Sequence, residues 1–486
     1  MLNHANCFYR RCLSAAALFL ACTALAGAAD DGAPSSLPAS VQAALKRAGL
    51  PVDAMAAVVV PVEGKGSGRL SWQAAKAMNP ASVMKLTTTF AALDLLGPAY
   101  TWKTTVSVDG PIRSGTLHGN LYVRGSGDPL LLLEQLWLLL RRVQASGIHT
   151  IAGDIVVDGS AFQPAPKDPA AFDGEPLRPY NAGPEALLLN FKSLVLTLVP
   201  DPAAGVARVQ VAPPLAGLDV PDTVPLVSAN TVCGDWRARL QLNLTHSARL
   251  GLDGSYAPSC GERSWAIAPP EPELFAPRAL AGLWRDQGGQ TSGAARLGKV
   301  PAGATVLFTY TSPALLQAVQ SVNKYSNNVM AQQLFLTLGL EVGGAGDPEV
   351  ARQTMAAWWE RRVGTTAASA QPPRFDNGAG LSRDARISAD AMARMLQRAW
   401  ASPVMPELMA SLPIVGVDGT LRRSKSRAVG SAHLKTGSLR DVLAVAGYVL
   451  AEDGRRWVLV AFINHANAAS ARPALDALID WTASAP

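Results

Sequence analysis

A chain of 486 residues, about half of them apolar and only 16% charged, is too long for one ordinary core and too apolar for a disordered tail, so two or more packed units are expected. The formal net charge of +6 is spread thinly, with no run of Lys and Arg and no basic stripe interleaved with aromatics. That argues against nucleic-acid binding and leaves only a loose attraction to an acidic membrane or cell-wall surface.

The first residues read as an export signal. Arg10 and Arg11 precede an apolar run over 13–25, and Ala24-Leu25-Ala26 and Ala26-Gly27-Ala28 supply small residues for cleavage. A dozen or so apolar residues are too few to cross a bilayer. Residues 1–28 are therefore assigned to a signal peptide, which directs the chain to the periplasm or cell envelope. Lipid attachment at Cys22 is the weaker alternative, because Phe19-Leu20-Ala21 fits a lipobox poorly. Cys7, Cys12 and Cys22 belong to this leader, so only Cys233 and Cys260 remain beyond it. In an oxidising compartment their simplest state is one disulfide; two separate buried thiols are the alternative.

Residues 37–50 pattern as an amphipathic helix and 54–62 as a valine-rich buried strand. A turn with Gly64, Gly66 and Gly68 leads to a second strand over 70–73. Helical spacing covers 82–96 and stops at Gly97-Pro98. Short strands are expected at 104–108, 116–123 and 151–157. The apolar run 130–140, opened by Asp128-Pro129 and followed by Arg141-Arg142, is a core helix rather than a membrane span. A proline-rich patch over 164–184 precedes strands at 206–211 and 238–244. Helical periodicity returns from 271, with core helices at 315–320, 326–339 and 388–400. Strands at 432–435, 443–450 and 457–464 follow, then a helix from Ser470, a good N-cap, to 483. This order predicts an α+β catalytic domain in two parts, 29–97 and 265–486, interrupted by a mostly β insertion over 98–264.

Three strings carry chemistry. In Ser82-Val83-Met84-Lys85 the hydroxyl and the amine share one helical face. A serine hydroxyl needs a base, and an ordinary lysine near pKa 10.4 is neutral in only about one molecule in 2,500 at pH 7. Its pKa must fall by roughly 3 units, about 4 kcal/mol, which burial and a second ammonium, that of Lys435, would supply. A second Ser-x-x-Lys, Ser321-Val322-Asn323-Lys324, lacks Pro80 and the helix start that mark Ser82. In Ser326-Asn327-Asn328 the functional reading gives Ser326 a proton for the leaving amine and Asn328 a bond to the substrate amide; the plain alternative is a helix N-cap. In Lys435-Thr436-Gly437-Ser438 the ammonium and hydroxyl suit a terminal carboxylate, the glycine a close approach, and Ser438 N–H an oxyanion hole shared with that of Ser82. The plain alternative is an edge strand with a solvated lysine.

Other chemistries find little here. There is no G-x-S-x-G, no H-E-x-x-H, no phosphate or dinucleotide glycine motif and no Cys or His pair at ligand spacing, so neither metal nor cofactor is expected. His118, His149, His246, His433 and His465 are scattered singly and read as packed or surface histidines rather than ligands; a strand face shared with Lys435 makes His433 the one candidate to border the expected cleft.

The strings resemble those of the penicillin-recognising serine acyltransferases, and within them the D-alanyl-D-alanine carboxypeptidase/endopeptidase family, the class C low-molecular-mass penicillin-binding proteins. Asn79-Pro80-Ala81-Ser82-Val83-Met84-Lys85-Leu86, Asn323-Lys324-Tyr325-Ser326-Asn327-Asn328 and Leu434-Lys435-Thr436-Gly437-Ser438-Leu439 match its three motifs. Gly125-Ser126-Gly127-Asp128-Pro129, Asn377-Gly378-Ala379-Gly380-Leu381-Ser382-Arg383 and Leu412-Pro413-Ile414-Val415-Gly416-Val417-Asp418-Gly419-Thr420-Leu421 fit it too. The long interval between Ser82 and Ser326 matches the family's insertion, which β-lactamases lack. The resemblance implies a β-lactamase/transpeptidase-like catalytic domain with Ser82 as nucleophile and Lys85 as base. It implies peptidoglycan stem peptides as substrate, trimmed or cut at cross-links, and β-lactam antibiotics as inhibitors. Ala379 stands where the family usually has serine, and Gln332 where it has glutamate. Asp173 and Glu175 are the acidic candidates for a second diamino acid. A β-lactam or ester hydrolase, and a non-catalytic peptidoglycan-binding envelope protein, are the alternatives.

Overall fold

The computed structural model describes residues 35–163, 168–246, 248–269, 271–365 and 371–485. The signal segment expected at 1–28 and its three cysteines lie outside the described residues, as does part of the proline-rich patch.

Five antiparallel strands form a central sheet in the order Leu70–Trp72, Met55–Pro61, Arg456–Asn464, Val442–Leu450, Ala432–Leu439. Its inner strands read as unbroken apolar runs because both faces are covered. Period two separates the faces. Ala56, Val58, Ala446, Val458 and Phe462 enter one core; Met55, Val59, Val445, Leu459 and Ile463 enter the other. A one-residue slip would exchange the two sets. Each buried Val or Leu contributes about 1.5–3 kcal/mol, so register is strongly fixed. The second face carries the helices Ala39–Arg47 and Arg472–Ala483, one from each end of the described chain. The first carries Ala389–Trp400 and a helical unit of Lys85–Leu96, Leu315–Tyr325, Asn328–Gly343 and Pro348–Arg362.

A further core occupies the chain between the first and second motifs. Its mixed five-stranded sheet runs Ala295–Leu297, Ile155–Asp158, Leu121–Arg124, Lys103–Val108, Thr305–Thr311. An antiparallel sheet of Thr223–Pro225, Val206–Ala212, Leu194–Asp201 and Arg263–Ile267 and the hairpin Leu240–His246/Arg249–Gly254 complete it. Cys233 and Cys260 are bonded to each other across the segment that contains the hairpin. The helix Leu133–Ala145 buries Leu136, Leu139, Leu140 and Val143 here and leaves Trp137 and Leu138 outside.

Three expectations need correction. Residues 116–123 form two strands, Thr116–Leu117 and Leu121–Arg124, and 151–157 form Thr150–Ile151 and Ile155–Asp158, the halves lying in different sheets. The segments cross between sheets side by side, so closely that a Cβ on Gly153 would stand 2.6 Å from Gly119 O. Apolar alternation runs straight through such a crossing and does not reveal it. The core also continues beyond residue 264, because the helix Phe275–Asp286 packs Leu280, Leu283 and Trp284 into it and Phe308 closes it. An amphipathic helix announces a buried face without saying which core it covers. Finally, the last helix starts at Arg472 after a 3-10 turn, Ala468–Ala471, and Ser470 lies inside that turn and caps nothing. Among the described residues no helix is long and apolar enough to cross a membrane, and no three metal-ligating side chains gather.

Candidate active site

Ser82 lies in a 3-10 turn, Ala81–Met84, that runs directly into the helix Lys85–Leu96. Residues three apart eclipse in such a turn, and Lys85 Nζ stands 2.9 Å from Ser82 Oγ. Asn79 fixes the turn. Its Oδ1 accepts the Ala81 N–H at 2.9 Å and its Nδ2 donates to Ser382 O at 2.8 Å. Asn464, at the end of a central strand, accepts the Asn79 N–H at 2.9 Å and donates to Asn79 O at 3.0 Å. These bonds hold Ala81 at φ +46°, a left-handed conformation that costs a non-glycine residue on the order of 1 kcal/mol.

Lys85 is wholly buried. Its Nζ donates to Asn328 Oδ1 and to Ala379 O, each at 2.6 Å. A neutral amine donates twice and keeps one lone pair, so the two carbonyl oxygens leave the third direction to Ser82 Oγ. Burial pushes the Lys85 pKa well below its usual value, and the nearby Lys435 adds to the same effect. Both effects favour the neutral amine, and in that form the direction left open for its lone pair faces the Ser82 hydroxyl. Ala379 acts through its carbonyl, which alanine shares with the family's usual serine. Asn377 braces that loop, accepting Ala379 N–H at 3.0 Å and donating to Leu381 O at 2.9 Å. Gly380, at φ +71°, allows it to touch the nucleophile turn: a Cβ there would fall 1.9 Å from Ala81 O.

Ser326 ends the helix Leu315–Tyr325 in a left-handed conformation, φ +59°. It is not the N-cap of the next helix; Asn327 is, accepting the Met330 N–H at 3.1 Å. Released from capping, the Ser326 hydroxyl accepts from Lys435 Nζ at 2.8 Å. Lys435 also donates to Thr436 O at 2.8 Å. Its strand is a sheet edge, yet the side chain is wholly buried, unlike the solvated lysine of an ordinary edge. Burial lowers its pKa to about 7. Asn328 accepts from Lys85 through Oδ1 and donates to Tyr180 O at 3.3 Å through one Nδ2 hydrogen, so it holds the Lys85 amine in place while its second Nδ2 hydrogen makes no bond to a described residue.

Ser82, Ser326, Thr436, Gly437 and Ser438 line one cleft of about 270 Å³. Gly437 makes the close approach expected of it: a Cβ there would stand 2.6 Å from Pro80 O and 3.1 Å from Ser82 N. The other Ser-x-x-Lys is set apart, because Lys324 pairs with Asp418. His433 shares the face of Lys435 but does not line the cleft; burial lowers its pKa, and Lys324 adds to this. Nor do Asp173 and Glu175 line it: Asp173 accepts from Tyr180 Oη and Asn181 Nδ2, and Glu175 pairs with Arg178. Gln332 donates to Asn328 O at 3.4 Å. The residues that sequence reasoning passed over are Asn79, Asn377, Thr420 and the carbonyl of Ala379, which lay inside the quoted strings, and Asn464 and Arg472, which did not.

The model of the D-Ala-D-Ala carboxypeptidase 3 (S13) family matches residues 37–485. The chain is similar to the D-alanyl-D-alanine carboxypeptidase of Actinomadura sp., 28% identical over 423 residues covering 82% of this chain and 76% of that one. It is 25% identical to D-alanyl-D-alanine carboxypeptidase DacB of Haemophilus influenzae, with 80% of each covered. Its fold is similar to the crystal structure of penicillin binding protein 4 from Haemophilus influenzae, with a TM-score of 0.70, 22% identity, and 90% of this chain and 99% of that one covered. A Bdellovibrio bacteriovorus predatory endopeptidase shares it at a TM-score of 0.52 and 14% identity, with 88% and 92% covered. The α+β fold expected from the motifs, a penicillin-recognising catalytic domain with a large insertion, is the fold observed. With nearly every described residue inside the family match, this chain is a serine-type enzyme belonging to the D-Ala-D-Ala carboxypeptidase 3 family.

Proposed function

We propose that Ser82 of this D,D-peptidase attacks the carbonyl that precedes a terminal D-alanine in peptidoglycan stem peptides. One observation carries the assignment: a buried Lys85, its two N–H bonds taken by carbonyl oxygens, faces the Ser82 hydroxyl at 2.9 Å. Ser82 Oγ bonds to the carbonyl carbon while its proton passes to Lys85 Nζ. The N–H groups of Ser82 and Ser438 receive the oxyanion. As the C–N bond breaks, the departing amine takes the Ser326 proton, which Lys435 replaces. Lys85 passes the proton it took on to Lys435 and, neutral again, takes a proton from the water that adds to the ester carbon and delivers it to Ser82 Oγ as the C–O bond breaks.

Cross-link cleavage is the same step with a leaving amine that belongs to a second stem peptide, which makes endopeptidase activity part of the proposal. Penicillins present a strained amide to the same hydroxyl and leave an acyl group on Ser82. The Cys233–Cys260 bond and the leader-like N-terminus support an exported protein of the periplasm or cell envelope.

The test is to treat the mature protein and its Ser82→Ala variant with a fluorescent penicillin, and to chromatograph muropeptides exposed to each. A lasting label on the wild type alone, with loss of terminal D-alanine and of cross-linked dimers, is expected. Equal labelling of both would overturn the nucleophile, and rapid penicillin turnover would favour the β-lactam hydrolase instead.

A further inference from the structure

About one to two turns along the helix Asn328–Gly343 from Asn328, the side chains of Gln332, Phe335 and Leu336 line a cavity of about 660 Å³. It is larger than the catalytic cleft and shares no lining residue with it. The rest of its wall comes from distant parts of the chain: Glu185 and Lys192 of the insertion, Glu273, and the loop residues Asp376 and Asn377.

Lys192 is buried, and its Nζ lies 2.5 Å from Glu185 Oε1. Placing it there takes a left-handed turn over Asn190, Phe191 and Lys192, with φ +44°, +56° and +51°. Such backbone costs about 1–2 kcal/mol per non-glycine residue and persists only where its surroundings hold it. Burial raises the Glu185 pKa to about 7; Lys192 opposes the rise and Glu273 adds to it, so the second carboxylate is near enough to be felt. One ammonium thus stands against two carboxylates. Arg352 brings no free charge, because it pairs with Glu349 at 2.8 Å and donates to the Asp376 carbonyl at 3.2 Å. The side-chain carboxylates of Glu273 and Asp376 have no partner among the described residues. Apolar walls with surplus negative charge are the complement of an ammonium group on an aliphatic chain.

The cavity also touches both groups that hold the base. Asn377 lines it and accepts the Ala379 N–H, and Ala379 O accepts from Lys85. Gln332 lines it and donates to Asn328 O, and Asn328 Oδ1 accepts from Lys85. The loop is pressed onto the cavity's helix, since a Cβ on Gly378 would stand 2.7 Å from Phe335 Cβ. The open cavity and the correctly held Lys85 therefore belong to one arrangement of the chain. A ligand that fits the cavity as it stands selects that arrangement.

We propose that this cavity is a second binding site, for an aliphatic ammonium ligand, and that its occupation promotes acylation of Ser82 by favouring the arrangement that holds Lys85. The coupling rests on the reading of Lys85 as the base for Ser82; the binding does not.

Hexylammonium, with hexanol as its uncharged counterpart, is titrated calorimetrically into the mature protein, Glu273→Gln and Asp376→Asn. The wild type is expected to prefer the amine by about tenfold or more, the worth of one charged hydrogen bond, and each variant to lose most of that preference. Saturating amine is expected to speed penicillin acylation of the wild type by about fivefold or more, and hexanol at the same concentration to leave it unchanged. Binding is expected to survive prior acylation by penicillin. Equal affinity for amine and alcohol, an undiminished preference in both variants, or loss of binding on acylation overturns the site. Binding with no change in acylation rate overturns the coupling. A wild type that takes no penicillin label overturns the Ser82 reading instead, and the titration still decides the site. Nα-acetyl-lysine amide and 1,5-diaminopentane, titrated in the same way, distinguish a peptide side chain from a free diamine as the source of the ammonium.

Discussion

Lys435 Nζ lies 2.8 Å from Ser326 Oγ, a bond that ties the sheet's edge strand to a loop 109 residues earlier in the chain. It joins a buried amine, its pKa lowered to about 7, to the hydroxyl proposed to give its proton to the leaving group. Ser326→Ala removes the relay and keeps the buried lysine's other contact with Thr436 O. Acylation by penicillin is expected to slow by about 10²–10⁴-fold, the usual worth of a positioned proton donor, with little change in thermal unfolding. Stopped-flow acylation alongside calorimetry checks both halves.

The pH dependence of acylation follows from two lowered amines. Lys85 must be neutral to act, so kcat/KM rises as pH passes upward through its depressed pKa, far below 10.5. Lys435 must be protonated to resupply Ser326, so the rate falls again as pH climbs through about 7. The profile is a bell whose limbs belong to the coupled pair. In Lys435→Arg, whose guanidinium keeps its charge and cannot give up a proton, the relay is lost, so acylation is expected to be slow and to show no alkaline limb below pH 9.

Stability carries the opposite trend to that of a paired lysine. The folded Lys435 pKa of about 7 lies below the unfolded value near 10.5, so between those pH values the unfolded chain binds the extra proton. Stability therefore increases as pH rises from 7 toward 10.5 and has no such slope below 7. Denaturant midpoints of wild type and Lys435→Met, measured at pH 6.5 and 9.5, are expected to diverge in the wild type's favour at the higher pH.

The Cys233–Cys260 bond spans a sequence separation of 27, which in the chain-entropy account stabilises by about 3–4 kcal/mol. Both cysteines lie in the part of the chain whose core is separate from the nucleophile's. Cys233→Ala/Cys260→Ala is expected to unfold at lower denaturant and to retain the wild-type rate of penicillin acylation in the native baseline.

Two neighbouring substitutions separate backbone from side chain at the base. Gly380→Ala forces a Cβ into Ala81 O and moves either the loop or the nucleophile turn, so acylation is expected to fall by more than about tenfold. Ala379→Ser keeps the carbonyl that Lys85 uses and is expected to remain within about threefold of wild type. Penicillin labelling rates on the two purified variants decide it.

The sheet and its two covering layers were legible because each strand carries two interleaved apolar sets, one per core, as Val58 and Val59 do. The short motifs were legible because they demand particular side chains at fixed spacing. What lay hidden was of two kinds. Backbone groups have no residue signature, so the Ala379 carbonyl on Lys85 and the Tyr180 carbonyl on Asn328 left no trace in the sequence. Amphipathic segments show that they are buried and not where, so Phe275–Asp286 was given to the wrong core. Ser326 was readable as a cap only until the structure gave that task to Asn327.

The reciprocal amide bonds between Asn79 and Asn464 join positions 385 residues apart. At a synthesis rate of 5–20 residues per second, roughly 20–80 seconds separate the emergence of the two partners. Until the later one arrives, the turn beneath the reactive hydroxyl lacks one of its two anchors and the sheet its middle strand. The turn beneath the reactive hydroxyl thus gains its second anchor only when the finishing segment slots home.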